Sequence, residues 1–340
     1  MASAGRAVAG VAVTVVAALV LFMALRGHGG TQPDAAAGSA TPGSATAGTG
    51  PRSAASAAGQ APAGSAPASA GARRPALSRA SATAARPVAD APAGAAGPLA
   101  GLAAAYVAGR AGTVLAAVYD VSTGQSWRLG DGPAQAEASV VKLDILETLL
   151  ARQDGGALSP GDQSLSQSMI EDSDNDAATS LWDEAGGAAG IGVYNDQAGL
   201  SGTTPSACVT CAGFPWPGWG LTTTVPYDQL TLLKQLVVPG PRPLLSPAQR
   251  DYALSLMENV APGQRWGISG GVPAGVTVAL KNGWLPLNDA STDWQVNSVG
   301  WVSGAGRDYL VAVFATGNPT EQYGIDTLNG LSSLIWNAMP

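Results

Sequence analysis

Apolar and polar positions follow three successive rhythms along this 340-residue chain. Residues 7–25 are apolar or small and carry no charge, residues 29–97 show no apolar period at all, and from 98 onward helical and strand periods alternate. In that last part, 98–110 sets Leu99, Leu102, Ala103, Tyr106 and Val107 on one side of a helix. Residues 113–120 form a β-rich run that Ser122-Thr123-Gly124-Gln125 turns back into a second strand at 126–129. Helical patterns follow at 139–152, 164–171, 176–186, 225–238 and 246–260. Strands return at 276–284, 294–302 and 308–316, with a hairpin loop at 303–307, before a helix at 323–338. Five strands divided between the two ends, with helices between them, predict an α/β chain of the α+β type. Its parts are a five-stranded antiparallel sheet flanked by N- and C-terminal helices, and an all-helical lobe.

The first two rhythms predict no packed core. A helix over 7–25 spans roughly 28 Å, enough to cross a membrane, so 1–28 reads as a signal anchor or, with Ala35-Ala36-Ala37 as a small-residue cleavage site, as a signal peptide. Residues 29–97 are almost all Ala, Gly, Ser, Pro or Thr and read as a disordered linker of roughly 45 Å root-mean-square span. Every tryptophan and tyrosine lies beyond residue 105, which leaves 98–340 as the one large domain.

Charge narrows the function classes. Net charge is +5 up to Gly97 and −12 beyond it, and an acidic body without a basic stripe argues against nucleic acid. The single histidine, His28, precedes the domain, so a Ser-His-Asp triad, a Cys-His pair and the usual zinc hydrolase sites all lack their imidazole. No metal and no cofactor are expected.

Chemistry starts with lysine, of which the chain has three. In Ser139-Val140-Val141-Lys142, at the start of a helix, the three-residue spacing puts hydroxyl and amine on one face. A serine nucleophile needs a base, and without histidine a lysine can serve if burial and a nearby cation such as Lys281 keep it neutral. Ser173-Asp174-Asn175 sits between two helical runs, and Lys281-Asn282-Gly283 near the end of a strand. Each motif alone reads equally well as ordinary structure: a helix start, a helix cap, a strand-end turn.

Together and in this order, the three resemble the Ser-x-x-Lys, Ser-Asp-Asn and Lys-Thr-Gly set of class A β-lactamases and penicillin-binding proteins. Gly186-Gly187 and Thr222-Thr223-Thr224 add to the resemblance, which covers 98–340 and implies a β-lactamase/transpeptidase-like fold. It implies that Ser139 is the acylated nucleophile, Lys142 its proton acceptor and Ser173 a proton relay. By the same resemblance Asn175 binds a substrate amide, Lys281, Asn282 and Gly283 line the substrate site, and the backbone N–H groups of Ser139 and Trp284 form the oxyanion hole. Two departures stand out. Asn282 replaces the family's threonine, and 187–221 contains no glutamate to activate a deacylating water, its one acid being Asp196, expected on a helix.

That stretch instead carries the only two cysteines, Cys208 and Cys211, expected to pair as a small-loop disulfide outside the cytoplasm, while Phe214, Trp216 and Trp219 read as local packing ahead of a ligand platform. Three functions follow. The first is an extracytoplasmic monomer acylated at Ser139 by β-lactams or D-Ala-D-Ala-like substrates, with slow deacylation. The second is a penicillin-binding or carboxypeptidase-type enzyme on peptidoglycan stems, and the third is a non-catalytic envelope binding module. The partners expected are a small-molecule or peptide substrate and, through the N-terminal segment, a membrane.

Overall fold

The computed structural model describes residues 97–211, 214–288 and 291–340. The segments expected over 1–28 and 29–97 lie outside the described residues, save Gly97. The described chain opens with α1 (Leu102–Ala108), β1 (Thr113–Asp120), β2 (Ser126–Leu129) and the short β3 (Gln135–Ala136). The helical lobe follows as α2 (Val141–Ala151), α3 (Pro160–Glu171), α4 (Asn175–Glu184), α5 (Gly187–Ala198), β4 (Thr223–Thr224), α6 (Pro226–Val237) and α7 (Pro247–Glu258). Last come β5 (Thr277–Pro286), β6 (Trp294–Gly304), β7 (Arg307–Asn318) and α8 (Glu321–Ala338). The main sheet is five-stranded and antiparallel, as the strand pattern predicts, and its order is β2-β1-β7-β6-β5.

Strand alternation divides the core into two layers. On β7, Leu310, Ala312 and Phe314 face the helical lobe, while Val311, Val313 and Ala315 face Leu328, Leu331 and Ile335 of α8. The helix starts are set by local polar chemistry. The Ser159 hydroxyl accepts from the Asp162 N–H with Pro160 in the first turn of α3, Asp174 accepts from Ala177 N at 2.7 Å, and Ser246 and Gln249 form a reciprocal capping box on α7.

The helix expected to carry Asp196 has no bounds in the apolar pattern, and the structure gives them as those of α5. The α5 sequence mixes three glycines among small residues, and it is bounded by Gly186 and Gly199 in the left-handed region. A Cβ at Gly190 would strike the Ala185 carbonyl, so a missing side chain lets this helix close against the end of α4. Asp196 lies on α5, exposed to solvent.

β5 forms one edge of the sheet, and its lobe-facing side meets the turn that carries Ser139. A Cβ on Gly283 would lie 2.7 Å from both Glu137 O and Ser139 N and 2.8 Å from Val140 N. These are backbone atoms and cannot step aside as a side-chain tip can. Gly283→Ala is therefore expected to destabilise the fold by about 1–3 kcal/mol, the usual range for overpacking. Urea unfolding with an unchanged midpoint would show that the contact is loose.

Candidate active site

Ser139 sits in a 3-10 turn, Ala138–Val140, immediately before α2. Ala138 has φ 51°, a left-handed conformation that a residue with a Cβ adopts only when its surroundings hold it there. The holding contacts converge on Glu137. Its N–H donates to Thr222 O at 2.7 Å, and its carbonyl accepts from Val140 N at 3.1 Å and from Asn297 Nδ2 at 2.9 Å. Asn297 also donates to Ala136 O at 2.8 Å. Gln295 and Asn297 are polar residues in the lobe-facing phase of β6, a signal in the sequence that the motif reading passed over.

One turn into the lobe, Lys142 is fully buried and directed at the Ser-Asp-Asn turn. Its Nζ lies 2.6 Å from Ser173 O, 2.8 Å from Asn175 Oδ1 and 3.2 Å from Ser173 Oγ, with the Trp219 ring centroid 5.1 Å away. Ser173 adopts φ 59°, which turns its carbonyl and hydroxyl inward, while Asp174 caps α4. The helix-cap reading of Ser173-Asp174-Asn175 holds, and the residue that starts the helix orients the two that flank it. Lys281 completes the cluster, donating to Ser173 Oγ and to Asn282 O, each at 2.9 Å.

Two buried amines on one hydroxyl set the electrostatics. Burial and then the Lys281 charge push Lys142 well below the ordinary lysine range, with Asp174 pulling the other way, and burial pushes Lys281 down to about 7. The neighbours of Lys142 suit the neutral form. A neutral amine has two hydrogens for Ser173 O and Asn175 Oδ1, and one lone pair that can take a proton from a hydroxyl. Among the described residues Ser139 Oγ makes no hydrogen bond, and Ser139 is half-buried.

The structure brings Ser139, Lys142, Ser173, Asn175, Lys281 and Gly283 together. Asn282 stands apart. The period of two along β5 sends Lys281 and Gly283 to the lobe and Asn282 to the other face, where its amide donates to Gln264 O at 2.6 Å and Trp266 O at 3.2 Å. Its NH₂ is thus occupied by the backbone. Trp284 packs edge-on against Trp266, with ring centroids 5.7 Å apart.

Cys208 and Cys211 are joined in a disulfide. A Cβ at Gly218 would strike the Cys208 carbonyl, and Gly218 N donates to Val209 O at 2.6 Å, so the bonded loop folds closely on its own return arm. The aromatic residues of the loop divide. Trp219 is packing, buried under Lys142 with Nε1 donating to Thr179 Oγ1 at 3.1 Å, whereas Trp216 is exposed.

With this geometry in hand, residues 163–339 match the sequence profile of the beta-lactamase enzyme family. The chain belongs to that family. The match begins after Lys142, so the Ser139–Lys142 pair rests on the geometry above. Among curated relatives, the beta-lactamase family chain is 31% identical over 216 residues to the protein named "Putative lipoprotein LppW" of Mycobacterium tuberculosis, and equally to that of Mycobacterium bovis. The alignment covers 59% of this chain and 62% of the relative, so the chain spans less than two thirds of the length of the relatives it matches. Among solved structures, PBP-A aligns at 22% identity over 68% of this chain and 92% of its own, with a TM-score of 0.56. A beta-lactamase from Chitinophaga pinensis aligns at 20% identity over 69% and 96%, with a TM-score of 0.59. These likenesses show a shared fold.

Proposed function

We propose that this beta-lactamase family member is an active-site serine hydrolase, acylated at Ser139 by β-lactams or D-Ala-D-Ala-like peptides and slow to deacylate. The observation that carries this reading is the buried, proton-poor Lys142 amine one helical turn from Ser139 and bonded to Ser173, itself bonded to Lys281. The three-residue spacing puts the amine and the Ser139 hydroxyl on one side of the helix, and catalytic hydrogen bonds commonly tighten only when substrate binds. Ser139 Oγ then attacks the carbonyl carbon and its proton passes to Lys142 Nζ. The N–H groups of Ser139 and Trp284 receive the oxyanion. When the C–N bond breaks, the leaving nitrogen takes a proton from Ser173 Oγ, which is resupplied from Lys142, and an ester remains on Ser139. Lys281 supplies the positive charge that attracts a substrate carboxylate.

Both substrate classes occur outside the cytoplasm, and the relatives named as lipoproteins support an envelope location. Among the described residues no helix is long and apolar enough to cross a membrane, so an anchoring role rests on the segment at 7–25. Intact-mass spectrometry after mixing with benzylpenicillin tests the central claim. One penicilloyl adduct is expected on the wild type and none on Ser139→Ala. No adduct and no penicillin turnover on the wild type would leave the non-catalytic envelope module standing.

A further inference from the structure

The side of α2 that carries Lys142 belongs to the site above, but its opposite side does not. Two residues past Lys142 the helix has turned by about 200°, so Asp144 points away from the cleft, into the space between α2, α5 and α6. There it meets the side chain of Glu137, from the turn that carries Ser139, and Glu147 follows one turn later on α2. All three carboxyl groups are fully buried.

The groups packed against them are polar or acidic. From α5, Tyr194 Oη donates to Glu147 Oε2 at 2.6 Å, and the Asn195 amide, in the orientation that satisfies it, reaches Asp144 Oδ1 at 3.3 Å. From α6 come Gln229, beside Asp144, and Asp228, which accepts from Gly202 N at 2.6 Å and Thr203 Oγ1 at 2.9 Å and has Arg128 near it. Five buried oxygens of this cluster still lack a donor: both of Glu137, Asp144 Oδ2, Glu147 Oε1 and Gln229 Oε1. Among the described residues no three such acids converge closely enough to hold a metal ion. The species that fits between two facing carboxyl groups is a proton.

We infer that Glu137 and Asp144 share a proton across this gap, and that the bond so formed ties the Ser139 turn to α2, making both acids positioning residues for acylation. Glu137 is where displacement would matter, because its backbone receives or gives the bonds to Thr222, Val140 and Asn297, and its carbonyl abuts Gly283. Burial and then the Asp144 charge hold Glu137 well above the usual carboxylate range, and burial pushes Asp144 up to about 7. The native state thus binds these protons more tightly than the unfolded chain. Their effect on stability is complete below about pH 4, where both states are protonated, and is lost as pH rises, first as Asp144 ionises near 7 and then as Glu137 gives up the remaining proton and two like charges are left facing each other.

The test compares wild type with Asp144→Asn, whose amide donates to Glu137 at every pH. The fall in Tm between about pH 5.5 and 8.5 is expected to shrink by at least half in the variant. The ratio of its acylation rate by fluorescent penicillin to that of the wild type is expected to rise at least threefold over the same range, and the Lys281 titration, common to both proteins, cancels in that ratio. Parallel Tm profiles would overturn the shared proton. So would a wild-type infrared spectrum at about pH 6 without a protonated-carboxyl band, which decides the matter even if Asp144→Asn and Glu137→Gln both fail to fold. Converging Tm profiles with a flat acylation ratio would overturn the positioning role. The acylation arm rests on the Ser139 reading, but the stability and infrared arms do not, so loss of that reading would leave them intact.

Discussion

Lys142→Arg is expected to slow acylation of Ser139 by at least about a hundredfold, close to 2.7 kcal/mol in barrier. Arginine keeps the positive charge and the donors that Ser173 O and Asn175 Oδ1 accept from, so a purely structural cation would survive the exchange. It cannot shed its proton near neutral pH, so a base would not survive it. The native amine is well placed for the second role, because burial and the Lys281 charge both favour its neutral form. Stopped-flow labelling with a fluorescent penicillin gives the second-order acylation constant, and a melt alongside it shows whether the bulkier guanidinium is accommodated beside Trp219. A folded variant acylated within a few-fold of wild type would remove Lys142 from the proton transfer.

The acyl-enzyme is expected to accumulate, because the two halves of the reaction make different demands. Acylation needs the Ser139–Lys142 pair, the Ser173 relay and the oxyanion donors. Deacylation also needs an activated water, and 187–221 supplies no carboxylate but Asp196, which is exposed on α5. Loss of a general base typically costs about 10² to 10⁴-fold, so ester hydrolysis becomes the slow step. A fluorescent penicillin should therefore label the chain one to one, and Asp196→Ala should leave the lifetime of the label little changed. Nitrocefin turnover at about ten per second or faster without an initial burst would reverse this and assign water activation to Lys142 or another group.

Much of this architecture was legible because it rests on short-range rules. The alternation that makes 113–120, 276–284 and 308–316 strands is the alternation that divides Leu310, Ala312 and Phe314 from Val311, Val313 and Ala315 in the folded sheet. The helix starts at Asp174 and Ser246 follow from side chains capping their own next turn. The bounds of α5 escaped because its glycine-rich sequence carries only a sparse apolar stripe, Ile191, Tyr194 and Ala198, and only contact with the end of α4 makes glycine there an asset.

By itself the sequence determined the chemical inventory: one serine–lysine pair at helical spacing, no usable imidazole, no glutamate in 187–221, and two cysteines close enough to pair. It also determined the order of strands and helices, since both depend on residues a few positions apart. Tertiary structure decided what the inventory becomes. Only folding carries Lys281 to the same hydroxyl as Lys142, 108 positions after Ser173, and burial, joined at Lys142 by the Lys281 charge, then lowers both amines from the ordinary lysine range. Only strand phase turns Asn282 away from the lobe while its neighbours face it. The acids Glu137, Asp144 and Glu147 read in sequence as ordinary polar positions of a helix and the turn before it. Their removal from water comes from α5 and α6, more than forty residues further along the chain. Desolvation depends on everything packed around a group, so it cannot be read from the few residues beside it.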